Sequence, residues 1–366
     1  MRFGKIFAAI PKEIKYIIFL FLTTRIVLTM IGVSSRIIMN KYDGYSNKLW
    51  LAIWGIWDTS WYLNIVKDWY PPTISGNWSF FPLYPGLVKL ISVVIGNPFI
   101  VGLIISNVAL LFACYFLYKL TNLDYDASTS LNSVKYLFLF PTAFIFSGFF
   151  TESLFLALAI ACFYYARTRK WWVVGILGFF LSLTRSLGVF ILLPMAIEYF
   201  TSCNYKFSNI KKNILFLCLI PLGLAFFLVY THYLTGDFLA YAHAQQKGWG
   251  VHTGNPFQTF DGLFDSGFIR RFESIFTLVC LLLLFIFSSQ IRVSYLIFGL
   301  YSILIPLYAI NTVWSMPRHL LEVFPFFIIF AIIGRNKTSD QILTIALALT
   351  QGFLMMVWAM GYNLIV

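Results

Sequence analysis

Of 366 residues, 60% are hydrophobic and only 11% are charged, against about 45–50% and about 25% in a soluble domain. A single aqueous core cannot hide that much apolar material, because larger soluble chains split into domains that each keep a charged surface. A soluble enzyme, a disordered chain and a fibrous protein are therefore all disfavoured. The net charge of +12 is spread in small basic clusters between apolar runs. That is the arrangement of positive cytoplasmic loops, not of a nucleic-acid-binding face.

In chain order, a first apolar run extends from Tyr16 to Met39 behind Arg2, Lys5, Lys12 and Lys15, which places the N-terminus in the cytoplasm. The run is too long for a signal peptide and lacks a small-residue cleavage site, so it reads as an uncleaved span. A polar, Trp-rich stretch, 40–79, follows on the outside; residues 80–96 are apolar but carry Pro82, Pro85 and Lys89 and read as interfacial or re-entrant. Residues 40–97 thus form a long first extracytoplasmic loop with short interfacial helices. Further runs lie at 98–119, 133–150, 153–168, 171–184, 187–201 and 213–235. After a second long outer loop, 236–272, come runs at 273–290, 293–311, 319–334 and 340–362.

A helix needs roughly 20 apolar residues to cross the hydrocarbon, fewer where neighbours shelter it. On that basis the chain is an all-α polytopic membrane protein, one integral domain of about eleven transmembrane helices. Residues 98–235 form a bundle with short spans and 273–366 the C-terminal spans. The turns on the N-terminal side hold Lys119 and Lys135; Arg167, Arg169 and Lys170; Lys206, Lys211 and Lys212; Arg292; and Arg335 and Lys337. If 80–96 spanned, every later loop would invert and the charge rule would fail. Cys114, Cys162, Cys203, Cys218 and Cys280 lie mostly inside apolar runs without metal or redox spacing, as small membrane hydrophobes do.

The informative polar residues fall on one side of this topology. Asp58 and Asp68 are in the first outer loop, Glu152 sits at the outer end of the 133–150 run, His243 and His252 are in the second long outer loop, and Arg185, Arg318 and His319 sit at outer turns. Charges at the ends of apolar helices require a partner, a wet cavity or a ligand. Trp57 and Trp61 bracket Asp58, offering aromatic surface around one carboxylate. Such a surface suits a sugar ring or a lipid headgroup, and the carboxylate can take a proton from a hydroxyl. The alternative is an aromatic interface belt in which Asp58 caps a helix or pairs with a cation.

Five patches then resemble the GPI second-mannose transferase (PIG-V-like) family, in a short, prokaryotic-type form. They are Trp57-Asp58 with Tyr62-Leu63; Phe80-Phe81-Pro82-Leu83-Tyr84-Pro85; Thr151-Glu152-Ser153-Leu154-Phe155; Thr184-Arg185-Ser186-Leu187-Gly188; and Met316-Pro317-Arg318-His319-Leu320. In the last, His319 stands where the family has an aromatic residue. The resemblance implies a glycosyltransferase of the C-type membrane superfamily, working at the extracytoplasmic face. It would use a polyprenyl-phosphate-linked sugar, mannose or a related hexose, as co-substrate. Asp58 matches the acidic base of that family.

Inverting transfer then asks for a base on one face of the anomeric centre and a stabilised leaving group on the other, by analogy with inverting glycosidases. Arg185 and Arg318 are the candidates for the leaving phosphate, unless they pair structurally with Glu152 or Glu322. Glu152, Trp57, Trp61, Tyr84 and His319 are candidates for binding or orienting substrate, with packing the simpler role for Tyr84. Membrane lipids, the lipid-linked donor and a glycan, lipid or protein acceptor are the implied partners; no nucleic acid and no resident cofactor are.

Other patterns carry less. Asp124-Tyr125-Asp126 has metal-binding spacing but falls in a cytoplasmic turn, and His232, His243, His252 and His319 lack zinc spacing. Asn77-Trp78-Ser79 is a glycosylation sequon. The competing functions are a C-type transferase of different sugar specificity and a flippase or transporter for a lipid-linked saccharide. The latter calls for ionisable groups near the midplane, where Arg25 alone stands out.

Overall fold

A computed structural model describes residues 10–255, 257, 263–264, 267–310 and 315–362. Arg2 and Lys5 lie outside the described residues, as does much of the 256–266 part of the second long loop. The described chain is almost wholly helical. Four stretches are long and apolar enough to cross a membrane by length and composition: Lys12–Ile38, Pro98–Thr121, Lys212–Thr235 and Lys337–Ala359. Shorter apolar helical stretches, including Trp171–Ser182, Ser186–Ser202 and Val293–Tyr308, pack among them. Several of the eleven expected runs are thus short or broken helices.

The N-terminal third holds α1 (Lys12–Ile38), α2 (Leu49–Ala52), α3 (Thr59–Asp68), α4 (Leu83–Ile95) and α5 (Pro98–Thr121). Helix α4 has thirteen residues and rises about 20 Å, short of the roughly 30 Å of hydrocarbon. Its far end leaves Leu90, Val93 and Val94 exposed. Asn97 caps α5 by accepting the Phe99 and Ile100 amides, with Pro98 as its first residue.

The 133–150 run departs most from expectation. Helix α6 (Ala127–Leu139), capped by Asp126, stops at Phe140, whose ψ of 138° is extended. Pro141 explains this, since the residue before a proline is pushed out of the helical region. Residues 140–151 then fold as buried turns around Phe144, Phe146, Phe149 and Phe150.

Non-helical backbone at such depth must find internal partners, and distant residues supply them. Gln351 donates Nε2 to the carbonyls of Phe138 and Phe140 at 2.8 and 2.9 Å. Arg25 donates Nη1 to the Ala143 carbonyl at 3.2 Å and to Ser147 Oγ at 2.7 Å. The isolated charge of the first helix therefore serves this break.

Helix α7 (Glu152–Arg167) leaves the break and packs against α5 and α8 (Trp171–Ser182). A 3₁₀ turn, Ser186–Ile191, leads into α9 (Leu192–Ser202), and another, Lys212–Cys218, into α10 (Leu219–Thr235). Helix α11 (Ala240–Trp249) lies in the second long loop. It is followed by a two-residue strand, β1 (His252–Thr253), paired antiparallel with β2 (Ala309–Ile310). The C-terminal part contains α12 (Phe268–Ile286), α13 (Val293–Tyr308), α14 (Met316–Leu320), α15 (Pro325–Ile333) and α16 (Lys337–Ala359).

Two polar clusters sit at opposite ends of α7, whose sixteen residues span about 24 Å. At the Arg167 end, Arg167 holds Asp124 bidentately at 2.6 and 2.7 Å, and Arg292 holds Glu198 at 3.0 and 3.2 Å. Asp126 accepts the Thr129 amide as a helix cap. Both aspartates of the Asp-x-Asp pattern are thus occupied by structural contacts. The other cluster surrounds Glu152.

Candidate functional site

Trp57 adopts φ +53°, a left-handed conformation that is strained for a bulky residue. This kink delivers Asp58 to the N-cap position of α3. Asp58 makes no cap hydrogen bond, so its carboxylate is not used to terminate the helix. Oδ2 instead accepts from Nη1 of Arg318, 260 residues later in the chain. Of the two simple roles open to Asp58, the structure has the ion pair and not the cap.

Arg318 lies on α14, which begins with Pro317 in its first turn, where a missing amide hydrogen costs nothing. Thr142 Oγ1 donates to the Pro317 carbonyl at 3.0 Å, tying α14 to the break after α6. The Arg318 guanidinium stacks over the Phe150 ring at 4.7 Å and donates Nε to Glu152 Oε1. It therefore bridges Asp58 and Glu152.

Arg185 reaches the same carboxylate from the turn after α8, donating Nη1 to Glu152 Oε1 at 2.7 Å. That turn depends on Gly188: a Cβ there would sit 2.2 Å from the Leu181 carbonyl oxygen. Glu322, between α14 and α15, places Oε1 2.7 Å from Arg185 Nη1. Neither of its oxygens makes a hydrogen bond among the described residues.

The cluster therefore sets three carboxylates against two guanidiniums. Glu152 is wholly buried and Glu322 is 1% exposed. Both guanidiniums hold Glu152, whereas Glu322 touches only Arg185. His319, next to Arg318 in the chain, is half-buried where it lines the cavity. Its Nδ1 has no hydrogen-bond partner among the described residues.

A cavity of about 1100 Å³ opens in front of this network. Trp57, Asp58, Trp61, Arg185, Arg318 and His319 line it. Glu152 stands behind the two arginines. Tyr84 is also behind the wall: it is wholly buried, and its hydroxyl contacts the Gly102 carbonyl at 3.0 Å and Ser106 Oγ at 2.9 Å. Its ring meets Tyr62 edge-on at 5.4 Å. Tyr84 is thus packed away from the cavity lining.

More of the lining comes from α11 and β1, through Tyr241, His243, Gln245, Gln246, Trp249 and His252, of which only the two histidines stood out in the sequence. Helix α11 is anchored by Tyr241, whose hydroxyl donates to Ser186 Oγ at 3.1 Å. His243 contacts Asp237 at 2.6 Å, and that hydrogen bond holds the Asp237 carboxyl below its ordinary range. A further local signal is the spacing of Tyr241, Gln245 and Trp249, four residues apart on one helical face. Among the described residues, no group of three or more His, Cys, Asp or Glu side chains is placed to hold a metal ion.

No family model matches this sequence, and no curated protein matches it. Among solved structures, it is similar to the oligosaccharyltransferase of Archaeoglobus fulgidus, crystallised tethered to an acceptor peptide through a disulfide bond. The TM-score is 0.47 and the identity 11%, over 94% of this chain and 55% of the other. The chain thus spans about half the length of that protein.

Proposed function

We propose that this protein is an integral membrane glycosyltransferase. It would move a mannosyl or related hexosyl group from a polyprenyl phosphate to an acceptor hydroxyl at the extracytoplasmic face. The observation that carries the reading is the placement of Asp58. Its carboxylate lines a cavity roomy enough for a sugar, and a buried arginine fixes its orientation without a helix cap competing for it. The five motif patches resembling the mannosyltransferase family converge around or just behind that cavity, and this supports the same reading.

In the proposed reaction the acceptor oxygen attacks the anomeric carbon as its proton passes to Asp58. The bond from the anomeric carbon to the phosphate oxygen breaks, and the electron pair leaves with the polyprenyl phosphate. Attack opposite the leaving group inverts the anomeric centre. Arg185 suits the departing phosphate better than Arg318 does. Arg185 uses Nη1 for both glutamates, and its other nitrogens make no hydrogen bond to the described residues. Arg318 is engaged at Nε and Nη1 and acts as a positioning residue for Asp58.

The test supplies radiolabelled polyprenyl-phosphate mannose, and hexose variants of it, with a panel of glycan, lipid and peptide acceptors to the purified protein. Transfer by wild type and its loss in Asp58→Asn is the expected result. Equal transfer by the two proteins removes Asp58 as the base. Failure of every donor and acceptor pair removes the transferase reading.

A further inference from the structure

The wall contributed by α11 has a composition that the proposed chemistry at Asp58 does not itself require. Trp249, at the C-terminal end of α11, meets Trp61 at 5.6 Å between ring centroids and Phe80 at 5.9 Å. Trp61 and Phe80 are stacked at 6.3 Å with their planes 21° apart. Gly76 packs closely on the six-membered ring of Trp61, where a Cβ would lie 2.5 Å from the indole. Helix α11 is fixed on this side too, since Gln245 donates Nε2 to the Ser79 carbonyl at 3.4 Å. Trp249 nevertheless remains 37% exposed and lines the cavity. The result is an open aromatic corner on a rigid backing, next to side-chain amides.

We infer that Trp61 and Trp249 form a stacking platform for a hexopyranose ring, with Gln246 from the same helix on its hydroxyl rim. This assignment rests on the glycosyltransferase reading above and specifies where the ring sits. A pyranose has a face of C–H groups and a rim of hydroxyls. Aromatic faces attract the former and amides the latter. Trp61 follows Asp58 by three residues at the start of α3, so the two lie on one helix face. A ring stacked on Trp61 therefore presents its edge toward the carboxylate. The ring is either the transferred sugar or the terminal sugar of the acceptor, and kinetics separate the two.

The test uses the full-length protein in nanodiscs. Saturation-transfer NMR is measured with methyl α-mannoside, methyl α-glucoside and methyl α-galactoside, none of which carries a leaving phosphate. At least one should bind wild type and Asp58→Asn alike. Trp249→Ala should weaken that binding roughly tenfold and Trp249→Phe much less, with thermal stability as the folding control. In turnover, Trp249→Ala should raise KM for the donor if the platform holds the transferred sugar, or for the acceptor if it holds that one. The platform is overturned if no glycoside binds wild type saturably. It is equally overturned if Trp249→Ala and Trp61→Ala leave both glycoside binding and each KM unchanged. Transfer that persists with unchanged constants refutes the platform alone. Tryptophan-dependent glycoside binding without any transfer refutes the transferase reading alone.

Discussion

Glu152 and Glu322 both face Arg185 inside one buried cluster, yet changing each to its amide isostere should have very different consequences. Glu152 accepts hydrogen bonds from two guanidiniums, one at 2.7 Å. Each such contact is worth about 4 kcal/mol in gross attraction at a charge separation of about 4 Å and an effective dielectric near 20. Desolvation offsets part of this, and removing one partner from a buried pair costs about 3–5 kcal/mol in practice. Glu322 touches one cation, Arg185, and makes no hydrogen bond among the described residues. Glu322→Gln therefore breaks no hydrogen bond, keeps the side chain's shape and leaves Arg185 its contact with Glu152, at a cost of about 1 kcal/mol.

The assay is thermal unfolding of each variant in the same detergent, followed by intrinsic tryptophan fluorescence. At about 2 °C per kcal/mol for a chain of this size, Glu152→Gln should lower Tm by roughly 6–10 °C and Glu322→Gln by less than roughly 2 °C. Equal losses in the two variants would refute this division of the hydrogen bonds. So would a Glu152→Gln protein as stable as wild type.

Gly188→Ala forces a methyl to 2.2 Å from the Leu181 carbonyl oxygen, against backbone that cannot swing aside. It should lower Tm by several degrees and displace Arg185; a wild-type melting curve would contradict the close approach. For the proposed topology, cysteines placed at the exposed positions Asn47 and Lys170 should react with an impermeant maleimide from opposite sides of the membrane. Labelling of both from one side would overturn it.

Helix positions could be read along the chain because apolar runs and basic turns are local signals. The first run, 16–39, and the last, 340–362, correspond to α1 and α16. The run 133–150 was read as one span because hydropathy does not register how Pro141 constrains Phe140. The break is tolerated only because Arg25 and Gln351 supply its hydrogen bonds from elsewhere. Asp58, Glu152, Arg185 and Arg318 stood out as charges at the ends of apolar runs, and the fold brings them into one network. Their pairing was open in the sequence: Arg318 meets an aspartate 260 positions away. Trp249 was missed, and of its helix only His243 stood out, because a mostly polar ten-residue segment carries no periodic apolar face to mark what it covers.

The sequence by itself determined the solvent in which this chain folds, the course of most of its helices and the residue types available for chemistry. Those follow from composition and from spacing within a few helical turns, where each residue's neighbours are known in advance. Only the tertiary structure decided which carboxylate each arginine holds and that Tyr84 lies behind the cavity wall. It also decided that α11 lines the same cavity as Asp58. These are contacts between segments tens to hundreds of residues apart. Their geometry is set by how α3, α7, α11 and α14 pack together, and no local pattern encodes it.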